Sequence, residues 1–238
     1  MNSTQLLEKT DSFFGTQWQD RRPSLQLRTS RPFVTISRES GAGGSGLARL
    51  LARTLNAETS ADVVWSVFDG TIISQMLRYH HLPSHFARFL PEDRMTELNS
   101  TVGELIGLHP NLWDLVQKTN ATMRRLAHDG HVVLVGRGAA FATAGTADGV
   151  HVRLIAPPAL RAKNLGEFYS MPETEALALN AKRDAAARRY VRATFNADIG
   201  DPQAYDLVIN TARVSPEQAM HLVLAQIHAR ISAAPANR

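Results

Sequence analysis

Phe33-Val34-Thr35-Ile36-Ser37-Arg38-Glu39-Ser40-Gly41-Ala42-Gly43-Gly44-Ser45-Gly46-Leu47-Ala48-Arg49-Leu50-Leu51-Ala52 is the stretch that decides the fold. It opens on a short apolar, β-branched run, Phe33 to Ile36, which reads as a buried strand. A glycine cluster follows. Leu47, Leu50, Leu51 and Leu55 then recur at helical spacing. Strand, glycine loop and helix in that order begin a βαβ unit. Glycines let several backbone amides converge, and a helix N-terminus adds positive potential, so a turn of this kind suits a phosphate. A tight turn with no ligand is the other reading of the same residues.

Outward from this unit, residues 63–68, 132–135, 150–156 and 206–209 are four further strand candidates. Most are nearly continuous apolar runs, the pattern of strands buried on both faces in a parallel sheet. His151 and Arg153 interrupt the third, which places it nearer a sheet edge. Helices are expected over 71–78, 94–106, 111–126, 174–195 and 216–231. In the last, Met220, Val223, Leu224, Ile227 and Ile231 form one stripe. Ser215 is its expected N-cap, Pro216 its first residue, and Gln218 completes a capping box. The sum is an α/β layer fold with five strands, a helical insertion near 78–128 and a basic segment near 160–192. Trp65 and Trp113 are expected in the core.

Residues 1–31 read as an N-terminal extension and 232–238 as a tail. A short helix around Leu6, Leu7, Phe13 and Phe14, ended by Gly15, is expected in the extension. A strap on the domain surface and a homodimer contact are its two readings.

The chain has 238 residues, of which 44% are hydrophobic and 20% charged, enough to bury a full core. It has no cysteine, which excludes disulfides, thiolate metal sites and cysteine nucleophiles. No apolar run is long enough to span a membrane. Glu8 and Asp11 fall where a signal peptide would be apolar, so a cytoplasmic protein is expected. The net charge of +4, from 26 basic and 22 acidic side chains, suits an anionic ligand. Only 7% of residues are aromatic and no basic–aromatic interleaving occurs, so nucleic acid is not the expected partner.

The run from Ile36 to Ala52 resembles, without gaps, the phosphate loop of bacterial cytidylate kinases. The chain is still more similar to the cytidylate kinase-like family, whose loop lacks the usual lysine. That resemblance continues in Phe68-Asp69, Val135-Gly136-Arg137-Gly138-Ala139, Val152-Arg153-Leu154-Ile155-Ala156-Pro157 and the run Tyr205 to Thr211. It covers residues 32 to about 230. It implies a P-loop kinase three-layer fold over 32–231, a five-stranded parallel sheet with a helical acceptor-binding insertion (about 78–128) and a basic lid (about 160–192). It further implies transfer of the γ-phosphoryl of ATP, with Mg2+, to a nucleoside monophosphate or similar small acceptor.

On this resemblance Ser40, Gly41, Ala42, Gly43, Gly44, Ser45 and Gly46 would hold the nucleotide. Ser45 would ligate Mg2+; a helix N-cap is its structural alternative. Gly44 stands where the lysine should be, and Arg38, Arg49 or a lid arginine is the candidate substitute. Arg38 replaces the loop's usual first glycine. Its alternative is a structural pairing with Glu39 or Asp69. Asp69, at the carboxyl edge of the sheet, would bind the acceptor; otherwise it caps a helix. Arg137 would hold a phosphate by two hydrogen bonds. The acids that flank this arginine in the related kinases are Val135 and Gly138 here. Asp184 resembles another acceptor-binding aspartate, and Arg188 would close over the transferred group. An ion pair between Asp184 and Arg188, four apart on one helix face, is the competing account. Arg161, Lys163, Lys182, Arg183, Arg189 and Arg192 complete the basic segment. His80, His81 and His85 read as exposed loop residues rather than metal ligands. Retained glycines, Ser45, Asp69 and Arg137 favour a phosphotransferase. The missing lysine and acids favour a nucleotide-binding pseudokinase that senses or scaffolds.

Overall fold

The computed structural model describes residues 30–59, 63–69 and 110–233, with the backbone alone for 110–115 and 233. The strands are β1 (Phe33–Arg38), β2 (Ser66–Phe68), β3 (Val132–Val135), β4 (Gly149–Ile155) and β5 (Leu207–Asn210). They form one parallel sheet in the order β2-β3-β1-β4-β5. The helices are α1 (Gly44–Glu58), α2 (Pro110–Asp129), α3 (Ala139–Ala142), α4 (Pro158–Tyr169), α5 (Glu173–Phe195) and α6 (Pro216–Ala233).

Alternation along the central strands explains why their apolar runs are continuous. Val34 and Ile36 of β1, with Val133 and Val135 of β3, join the core under α1 and α6. Their neighbours Phe33, Val132 and Leu134 face the opposite way, against Met123, Leu126 and Ala127 of α2. Both faces are therefore covered, and each fully buried side chain contributes roughly 1.5–3 kcal/mol. Trp65 belongs to the first cluster at 3% exposure. The part of the insertion that is described, α2, is thus a sheet-covering helix.

The expected third strand is not at an edge. β4 lies between β1 and β5, and the edges are β2 and β5. Its two polar residues are absorbed by partners instead. His151 Nδ1 lies 2.8 Å from Thr35 Oγ1. Arg153 Nη1 donates to Ser37 Oγ at 2.8 Å, and its guanidinium sits over the Tyr205 ring. β2 is shorter than expected because the Asn56 side chain takes both backbone groups of Trp65, at 2.7 and 3.0 Å. α6 begins as expected: Ser215 N–H donates to Gln218 Oε1 at 3.0 Å, and Gln218 N–H to Ser215 Oγ at 3.2 Å.

α4 and α5 form a helical hairpin with a small core of its own, Ala162, Leu165 and Ala176. The expectations over residues 1–29, 71–78 and 94–106, and the histidines at 80, 81 and 85, lie outside the described residues, as does the Trp113 side chain. Among the described residues no helix is long and apolar enough to cross a membrane, and no cluster of three metal-ligating side chains occurs.

Candidate active site

Parallel pairing brings the carboxyl ends of β1, β3 and β4 to one edge of the sheet. Two glycine-bearing turns start there. Glu39–Gly43 leads from β1 to α1, and Gly136–Gly138 leads from β3 to α3.

In the first turn the N-cap of α1 is Gly43, left-handed at φ 89°. Ser45 is therefore not the cap: it lies in the first turn of α1, half-buried. A Cβ built on Gly43 would meet no protein atom within 4 Å, and the same holds for Gly46. The space over the helix N-terminus is therefore open. The other side of the loop is closed: a Cβ on Gly41 would lie 2.3 Å from the Arg161 carbonyl oxygen.

The closed side is stitched to the α4–α5 hairpin. Ser40 N–H donates to Asp184 Oδ1 at 2.7 Å. Arg161 Nη1 donates to Asp184 Oδ2 at 2.6 Å and to the Ser40 carbonyl at 3.1 Å. Asn164 Nδ2 donates to the Gly41 carbonyl at 2.9 Å. Glu39 Oε2 accepts from Ala156 N–H at 3.0 Å and lies 3.5 Å from Arg161 Nε. The Arg161 and Asp184 side chains are each only 11% exposed. The ion pair that Asp184 makes is with Arg161, across the hairpin, and not the alternative one with Arg188. Glu39 likewise turns to Arg161 rather than to Arg38.

The second turn holds three successive left-handed residues, Gly136, Arg137 and Gly138, at φ 78°, 56° and 68°. That conformation costs a non-glycine residue free energy, and strain of this kind gathers at ligand sites. A Cβ on Gly138 already lies 2.5 Å from Phe195 Cε2 and 3.3 Å from Tyr190 Cε1. An acid at this position would overlap the aromatic rings of α5. Its loss follows from what fills the space.

A pocket opens between the carboxyl end of β1, the second turn, α3 and α5. Ser37, Arg38, Arg137, Phe141, Tyr190 and Ile199 are among its lining residues. The pocket brings together Arg38, at the end of β1, and Arg137, in the turn after β3. Tyr190 is pushed up to about 12 by burial, against the opposing charge of Arg137 and a hydrogen bond to Thr194, so its phenol stays neutral. Ser37 is held from behind by Arg153 and by Tyr205, whose Oη lies 3.2 Å away and donates to the Ile199 carbonyl.

Other expected residues stand apart. Asp69 follows β2, half-buried at the same sheet edge, but is not in the pocket lining. Arg49, Arg188, Arg189 and Arg192 are exposed on their helices. Asn164, Tyr190, Phe141 and Phe195 carried no recognisable signal, because their roles rest on contacts across α4 and α5.

For a nucleotide triphosphate the open face at Gly43 and Gly46 fits, since no Cβ there blocks backbone approach. For Mg2+ the loop offers the Ser45 hydroxyl, and the phosphates and water would supply the other oxygens.

Residues 33–213 match the cytidylate kinase-like family. The chain is 31% identical to the cytidylate kinase of Pyrococcus horikoshii, over 82% of this chain and 87% of that one. It is 28% identical to the cytidylate kinase of Halorubrum lacusprofundi, over 82% of this chain and 89% of that one. Among solved structures, an uncharacterized protein from Eubacterium ventriosum superposes with a TM-score of 0.61 at 17% identity, over 84% of this chain and 99% of that one.

Proposed function

The chain belongs to the cytidylate kinase-like family and has its α/β P-loop kinase fold, and on that premise we propose that it moves the γ-phosphoryl of ATP onto a nucleoside monophosphate or a similar small acceptor. The observation that carries the proposal is the pair Arg38 and Arg137 on one pocket, with Arg38 ending the strand that leads into the open-faced Gly43 turn. Two guanidiniums there suit an acceptor phosphate placed against a donor phosphate chain.

In this reading Gly43 to Gly46 cradle the donor phosphates and the Ser45 hydroxyl is a ligand of Mg2+. The metal, when bound, offsets phosphate charge. Arg137 holds the acceptor phosphate; its backbone is set by β3 and by the turn, so its side chain is aimed. Asp69 and Asp184 are assigned to the acceptor side. Asp184 could serve there only by leaving Ser40 and Arg161, and Arg188 would reach the transferred group only through a movement of α5.

Transfer from labelled ATP to a panel of nucleoside monophosphates, with and without chelator, tests the proposal. Magnesium-dependent transfer is expected. Arg137→Ala should raise the acceptor KM about tenfold or more, and Arg188→Ala should lower kcat with ATP binding intact. ATP binding without transfer to any acceptor would favour the pseudokinase reading, to which the aromatic filling at Gly138 also points.

A further inference from the structure

The loop pattern G-x-x-x-x-G-K-[ST] places a lysine where it reaches the β- and γ-phosphates. Here the four fixed positions are Arg38, Gly43, Gly44 and Ser45, so two of them depart from the pattern. The departures touch. A Cβ built on Gly44 would lie 3.0 Å from Arg38 Cγ, 3.2 Å from Cδ and 3.4 Å from Cβ. The stem of Arg38 therefore runs across the position from which a lysine would start. Arg38 also lines the pocket with Arg137. It thus runs past Gly44, at the start of α1, to the pocket that also holds Arg137.

We propose that Arg38 supplies the cation that phosphate loops ordinarily place at position 44, and that Gly44 is small because the Arg38 stem crosses it. The assignment rests on the kinase reading above. In the step it serves, an oxygen of the acceptor phosphate forms a bond to the γ-phosphorus. The bond from that phosphorus to the bridging oxygen of ADP breaks, and ADP leaves with the electron pair. The acceptor oxygen is already ionised, so no proton has to move. Arg38 sits where negative charge accumulates on the donor phosphates, and its guanidinium can bind two oxygens at once.

The swap is tested with four full-length proteins: the parent, R38G, G44K and R38G/G44K. Magnesium-ATP binding is read by thermal shift, and single-turnover transfer by labelled ATP with a nucleoside monophosphate. R38G should lose transfer about 10²-fold or more. G44K should lose a comparable factor, because two stems compete for one space. The double variant, with the pattern's own residues at both positions, should recover at least about tenfold over either single; residues in contact are the ones expected to be non-additive. Circular dichroism and melting temperature follow each variant. If R38G does not fold, R38Q keeps most of the stem and should show the same loss. Parental transfer rates in R38G or R38Q overturn the assignment, as does a double variant no better than its worse single. A parent that neither binds ATP nor transfers phosphoryl overturns the kinase reading together with this one, so the two failures are told apart.

Discussion

The turns after β1 and β3 start from the same sheet edge and end in the same way, on a left-handed glycine that caps a helix. At the end of each, a residue expected of a phosphotransferase is replaced by glycine, at Gly44 just past the first cap and at Gly138, the second cap. The reasons differ. Gly44 faces the stem of Arg38, whose Cγ, Cδ and Cβ would need to give only a few tenths of an ångström. Gly138 is left-handed and faces the ring of Phe195, which is stacked on Phe141. On the proposal above, the first replacement is an exchange of charge between neighbours. The second is a filled space. The absence of a motif residue therefore has to be judged by what occupies its place.

The largest effect should come from cutting what holds the first turn. Asp184→Ala leaves Arg161 charged and nearly buried, and breaking such a pair typically costs about 3–5 kcal/mol. Urea unfolding measures this. A loss below about 1 kcal/mol would mean that the stitching is incidental. Asp184→Asn, which keeps an acceptor for Ser40 N–H, should lose less than Asp184→Ala.

The contrast itself is sharpened by two alanine substitutions. Gly138→Ala puts a Cβ against Phe195 in a left-handed conformation and should cost about 1–3 kcal/mol. Gly44→Ala meets only a movable stem inside a helix and should stay within about 1 kcal/mol of the parent. Equal losses would erase the distinction between the two turns.

A smaller effect is expected at the far end of the sheet. His151 is held below its ordinary value of 6.5 by burial first, then by Arg230, with Asp206 opposing. The folded protein thus prefers the neutral ring, while the unfolded chain takes up a proton near 6.5. The stability this provides is complete above pH 6.5 and is lost as pH falls from there towards the lower folded value. Replacing His151 with Gln should flatten that slope. An unchanged slope would remove His151 from the account.

The central strands were legible in the sequence because Val34, Ile36, Val133 and Val135 alternate with residues that are equally buried on the other face. The start of α6 was legible because capping chemistry is local. α4 was hidden: of its buried residues Arg161, Ala162, Leu165 and Gly166, only Leu165 is a strong apolar marker. α3 is four residues long and has no periodicity to read. Arg38 and Arg137 were visible as departures and survivals within motifs. The clamp of Arg161 on Asp184 joins residues 23 apart on two helices, a contact that no local spacing announces.

The most direct test of the account is magnesium-ATP binding by the parent and by Gly43→Ala. In the parent, ligand at a hundred times its Kd should stabilise the fold by about 2.7 kcal/mol, a rise in Tm of about 5 °C or more. Alanine at Gly43 meets no protein atom within 4 Å, so the variant should fold, with a modest loss for its left-handed backbone. Its methyl group would project into the space assigned to the phosphates, and the ligand-induced rise should fall to less than about a third of the parental one. An equal rise in both proteins, or none in the parent, would contradict the phosphate-loop assignment.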